Sequence, residues 1–141
     1  MLLPRGTHLK TFKKEFGRNL MTDVMKLIPR KFTGYVRVFG FGGKGFDDIQ
    51  ILFEVSHPIA VSRYLRRREL KGDEALESIK KERTYKEYEV SIYLFTEREL
   101  EIAKELSGDY LIEWKERDVG ESKFPITKKQ LMKIIDKIRR I

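Results

Sequence analysis

The sequence predicts a single domain over residues 1–141, of α/β or α+β class, with a small mixed β-sheet of about four strands flanked by helices. Two observations predict it. A chain of 141 residues suits one hydrophobic core and not two. Helical and strand periodicities then alternate along it, with no internal repeat, low-complexity tract or linker between them.

The elements follow in order. Leu9, Phe12, Phe16, Leu20, Val24 and Leu27 recur every three to four residues and predict one amphipathic helix that Pro29 stops. Tyr35 to Phe39 reads as a strand, and Gly40-Phe-Gly-Gly-Lys-Gly45 as a glycine-rich turn. Ile49 to Val55 is a second strand, closed by Ser56-His57-Pro58. Residues 59–70 read as a helix with Ile59, Leu65 and Leu70 inward and arginines outward. Asp73 reads as the N-cap of a helix reaching about Arg83. Alternation from Tyr88 to Phe95 predicts a third strand. Thr96 and Glu99 form a capping box, opening a helix that Gly108 ends. Tyr110 to Trp114 is the fourth strand. Thr127 and Gln130 form a second capping box, before a basic helix lined by Leu131, Ile134, Ile135 and Ile138. The segment Leu3-Pro-Arg-Gly-Thr-His8 resembles the remnant of an expression tag, so residues 1–8 are read as disordered or tag-derived and carry no weight.

Composition narrows the chemistry. Without cysteine there is no disulfide framework, thiolate zinc site or thiol nucleophile. Only His8 and His57 offer imidazoles, and His57 before Pro58 reads as a surface group at a strand end. One Asn and two Gln stand against 30 Lys and Arg, a balance that points to a thermophilic source. No apolar run approaches a membrane span or a secretory leader, so the chain is expected in the cytoplasm with no membrane partner.

The net charge of +8 is unevenly placed. Residues 1–44 carry a balance of +8, residues 73–122 carry −7, and residues 123–141 carry +6. Arg63 to Lys71 adds five bases against Glu69. Basic ends that met in the fold would form one positive face, and nucleic acid is the commonest polyanion such a face meets. The candidate phosphate contacts are Lys10, Lys13, Lys14, Arg37, Lys44, Arg66, Arg67 and Arg68. The plainer reading of the same residues is a well-solvated cationic surface.

Residues 35–55 hold the most specific pattern. A glycine turn can bring bare backbone N–H groups to a phosphate, and Lys44 would add charge. Asp47 and Asp48, at the head of the next strand, are placed to hold a divalent cation, with Asp48 the candidate ligand. Phe39-Gly40, Asp48-Ile49 and the strand Ile51-Leu52-Phe53-Glu54 resemble the nucleotidyltransferase superfamily in its minimal form. That resemblance implies a nucleotidyltransferase-like fold with metal carboxylates on the second strand. Here Phe41 stands where the family has serine, and Gln50 where it has the second carboxylate; Glu89 alone could be the third acid. With those replacements the chain is expected to transfer no nucleotide, and a glycine hairpin between two strands is the leading reading of the turn. The expectation is a non-catalytic nucleic-acid- or nucleotide-binding domain with no required cofactor. The alternatives are a degenerate nucleotidyltransferase-like domain and a homo-oligomeric interaction domain whose strands Tyr88–Phe95 and Tyr110–Trp114 meet a second copy.

Overall fold

The computed structural model describes residues 1–16, 19–42, 45–81 and 85–115. The side chains of residues 14–16, 42, 85 and 86 are outside that description. The second capping box and the basic helix after it, and Lys44 in the turn, lie outside the described residues.

The chain folds as an α+β domain around a six-stranded sheet. In order it forms β1 (Thr7–Phe16), α1 (Leu20–Leu27), β2 (Gly34–Gly42), β3 (Gly45–Glu54), β4 (His57–Leu65) and β5 (Arg68–Lys71). Then follow α2 (Asp73–Lys81), β6 (Tyr85–Leu94), α3 (Glu97–Leu106) and a 3-10 turn over Gly108–Tyr110. The sheet order is β1-β6-β2-β3-β4-β5, and every pairing is antiparallel. A mixed sheet of about four strands is therefore corrected to an antiparallel sheet of six.

Two readings of helix become strand. Leu9, Phe12 and Phe16 belong to β1, which pairs with β6 from Thr7↔Leu94 to Phe16↔Tyr85. Spacings of three and four fit a helix stripe, but here they coincide with a pleated edge. Only Leu20, Met21 and Val24 bury a helical face, in α1, whose N-cap Asn19 accepts from the Thr22 N–H. Residues 59–70 form β4 and β5, with Arg66 and Arg67 at positive φ (54° and 63°) closing the two-residue turn between them. Neither glycine nor asparagine marks that turn, and β4 is buried on both faces, which blurs its alternation. Tyr110–Trp114 is not a strand: a 3-10 turn leads to one bridge, Leu111↔Ala60, and Ile112 donates to the Ile59 carbonyl at 3.0 Å. Asp73 is the first residue of α2 rather than its cap, following Gly72.

The N-terminal residues are ordered. Gly6 N–H donates to Glu99 Oε2 at 3.1 Å, the Tyr35 hydroxyl donates to the Arg5 carbonyl, and Met1 and Leu3 pack on the smaller core cluster.

Side chains alternate across the pleat, so the sheet has two distinct faces. One carries Val36, Val38, Ile49, Ile51, Phe53, Val61, Val90 and Ile92 against α1 and α2 in the main core. On the other, Tyr35, Leu52 and Ala60 pack with Phe95 and with Ala103 of α3. The capping box read from Thr96 and Glu99 is present and fixes where α3 starts. Its packing covers one end of that face only. No described helix is long and apolar enough to cross a membrane.

Candidate nucleic-acid interface

Among the described residues no helix covers the second face at its far end, where β2 and β3 run out to their hairpin. The register sets out the residues there. Arg37 lies opposite Gln50 and Ser91, Phe39 opposite Asp48 and Glu89, and Phe41 opposite Phe46; Asp48 lies opposite Tyr64, and Gln50 opposite Ser62. Strand alternation puts all of these side chains on one face. Phe41 is 70% exposed, Phe46 42% and Tyr64 43%. The two phenyl rings meet edge-on, with centroids 5.6 Å apart. Arg37 lies 5.0 Å from the Phe39 ring and reaches Asp48 through two bonds, Nε–Oδ1 at 3.0 Å and Nη2–Oδ2 at 2.8 Å. That hydrogen bonding raises the Arg37 guanidinium above its ordinary range.

Beside them lies an open polar depression of about 250 Å³ lined by Met1, Asp48, Gln50, Ser62, Tyr64 and Glu69. The Tyr110 hydroxyl donates to Glu69, and that bond pushes its pKa up to about 12.

The two acids read as a cation pair do not share a site. As neighbours on a strand, Asp47 and Asp48 point to opposite faces. Asp48 is on the open face with Arg37. Asp47 is buried beneath α2, where it accepts from Arg63 Nε at 3.0 Å and Nη2 at 2.8 Å and from the Tyr88 hydroxyl at 3.3 Å. Nor do Asp48, Glu54 and Glu89 converge. Glu54 is six residues along β3, about 20 Å away in an extended strand, and pairs with Lys104 at 2.7 Å. Glu89 is across β2 from Asp48. No group of three His, Asp or Glu that could hold a metal occurs among the described residues.

The candidate cations divide. Lys13 and the Arg66–Arg67 turn are exposed and lie towards the hairpin end, because β4–β5 turns at the same end of the sheet as β2–β3. Lys13 lies opposite Glu89, in the same cross-strand row as Phe39, Asp48 and Tyr64. The register puts Lys10 on the helix-covered side, its Nζ 4.6 Å over the Phe12 ring. Lys14 has its backbone opposite Tyr88. Arg68 is tied to Glu74 at 3.0 Å. Within the described residues the basic segments do not merge into one patch. They stand on opposite edges of the sheet, about 24 Å apart at about 4.8 Å per strand. What lies between them, Phe39, Phe41, Phe46 and Tyr64, went unnoticed as a set in the sequence. Its signal was aromatic residues at the polar-face positions of β2, β3 and β4.

Residues 1–107 match the family described as "Uncharacterized protein conserved in archaea (DUF2226)". The chain belongs to that family. The match takes in every strand of the sheet and all of α3. No curated protein and no solved structure matches the chain.

Proposed function

We propose that the protein is a cytoplasmic, non-catalytic nucleic-acid-binding domain that uses the hairpin end of its open sheet face. One observation carries the reading: exposed cations at both edges, Lys13 on β1 and Arg66–Arg67 beyond β4, flank a face of aromatic and polar side chains that no described helix covers. The arginine turn supports it independently. A left-handed backbone at a residue with a Cβ costs about 1–2 kcal/mol, and Arg66 and Arg67 both adopt it. Asn-Gly would form this turn at lower cost. Val55 and Ser56 adopt the same backbone at the β3–β4 turn, so what sets the arginine turn apart is its exposed charge rather than its strain.

Binding is expected to weaken steeply with salt, by about 0.7 in the log–log slope per phosphate contact on single strands and about 0.9 on duplex. The double change Arg66→Asn, Arg67→Gly should reduce that slope by about 1.4–1.8. The same change should raise folding stability by about 1–2 kcal/mol. Fluorescence anisotropy across a salt series, with urea unfolding of both proteins, checks the two together. Affinity that is absent at low salt, or flat as salt rises, defeats the reading.

A nucleotidyltransferase-like domain retained for binding is the second reading. It draws on the hairpin after Phe39-Gly40, which sets Asp48 on the following strand behind α1. In that position Asp48 is engaged by Arg37, and its neighbour on the same face is the neutral Gln50. No nucleotide transfer is expected with any nucleoside triphosphate and magnesium or manganese. Metal-dependent label transfer that Asp48→Asn abolishes would make this the better reading.

A further inference from the structure

We infer that the ligand of the open face is a single strand whose bases stack on Phe41, Phe46, Phe39 and Tyr64. This inference rests on the nucleic-acid reading above and specifies the form of nucleic acid.

The order of charge across the face comes first. Its exposed cations Lys13 and Arg66–Arg67 stand at the two rims, the arginines beside Glu69 of the edge strand β5, while Asp48 and Glu89 lie between them next to Gln50 and to one cation, Arg37, which Asp48 already pairs. With Arg37 held by Asp48 and Glu89 beside them, that strip carries a net negative charge, so a phosphate backbone is favoured at the rims and an uncharged group between them. Bases are uncharged, and their amino groups can donate to carboxylates and to the Gln50 carbonyl.

Ring placement is the second argument. Phe39 and Phe41 are two residues apart on one strand, a spacing of about 7 Å. Bases in a duplex are stacked about 3.4 Å apart and paired, so a duplex cannot present one base to each ring. A single strand can splay its bases and lay each on a ring face, the way aromatic platforms on open sheets hold unpaired nucleotides. Phe41 is not held by the core: at 70% exposed it gives the fold little beyond its edge-on contact with Phe46. A cross-strand aromatic pair is a modest stabiliser, and exposed phenyl rings are otherwise a liability for solubility.

The test uses the full chain and four probes of equal length at one salt concentration: single-stranded DNA, single-stranded RNA, duplex DNA, and an abasic sugar-phosphate strand. The single strands are expected to bind at least about tenfold tighter than the duplex or the abasic strand. Phe41→Ala and Phe46→Ala should each weaken single-strand binding about 5- to 100-fold and leave abasic binding unchanged. Phe41→Tyr should retain most of the affinity. The exposure of Phe41 makes Phe41→Ala safe for folding, and an unchanged melting temperature will confirm that. Equal binding of the abasic strand, with no effect of Phe41→Ala, overturns stacking while leaving phosphate binding intact. No binding by any probe at low salt overturns both readings. A concentration-dependent dimer that Phe41→Ala dissociates assigns the rings to a second copy of the chain and also overturns stacking.

Discussion

Arg63→Ala is expected to destabilise the fold by about 3–5 kcal/mol, because it strands the Asp47 carboxylate inside the core. The two side chains are 3% and 1% exposed. Arg63 gives two bonds to Asp47, and its remaining terminal nitrogen donates to the Ser78 carbonyl at 3.0 Å and to Ser78 Oγ at 3.2 Å. Tyr88 adds its hydroxyl to Asp47. The network thereby joins β3, β4, α2 and β6 at one point. Its value lies mostly in what its loss would leave behind, since a buried pair barely offsets its own desolvation. The double change Asp47→Leu, Arg63→Met should therefore recover most of the loss, and Tyr88→Phe should cost only about 1 kcal/mol. Urea unfolding of the single and double variants forms the cycle. A loss below about 1 kcal/mol for Arg63→Ala would mean that water reaches Asp47 and that the site is not dry.

Gly34→Ala should cost about 3 kcal/mol or more for a single methyl group. A Cβ at Gly34 would stand 1.9 Å from the Tyr93 carbonyl oxygen and 3.0 Å from the Phe32 ring. Gly34 is paired on both sides, opposite Phe53 in β3 and Leu94 in β6, so neither neighbour can withdraw without breaking a ladder. The Tyr35–Tyr93 stack, with centroids 4.5 Å apart, sits beside this contact and would be disturbed as well. Gly108→Ala is the control. A Cβ there meets nothing within 4 Å, and the change should be neutral or stabilise by up to about 1 kcal/mol through the unfolded chain. Thermal melts of the two variants distinguish a packing constraint from a general effect of glycine.

Some of this architecture could be read from the residues. The β2–β3 hairpin was legible because glycines interrupt two alternating runs, and the start of α3 because Thr96 and Glu99 form a local pair. The β1 strand was not: Leu9, Phe12 and Phe16 satisfy a helical spacing, and what makes them a strand is β6, about 80 residues away. The β4–β5 hairpin hid behind three consecutive arginines, two of them in a conformation that charged residues seldom adopt. At the candidate site, Arg66, Arg67 and Lys13 could be picked out by charge. Phe41 drew notice only as the residue standing in for a serine, and its partnership with Phe46 depends on a register that the turn sets. The Asp47–Arg63 pair was invisible because it forms across β3 and β4 and only burial shows its importance. Neighbouring aspartates suggested one shared cation, and the pleat sent them to opposite faces.

The position of β6 between β1 and β2 bears on how the chain assembles. Strands β2 to β5 are joined in series by short turns, so they can pair as they leave the ribosome. The first strand has no such neighbour. It must wait, unpaired, until the sixth has been made and has docked on β2. During that interval two nascent or partly unfolded chains can trade their first strands, each completing the other's sheet through the native β1–β6 pairing. The late seam between β1 and the rest of the sheet is thus where exchanged dimers would form at high concentration. Glu99, by gripping Gly6 just ahead of β1, links that seam to the helix that follows β6.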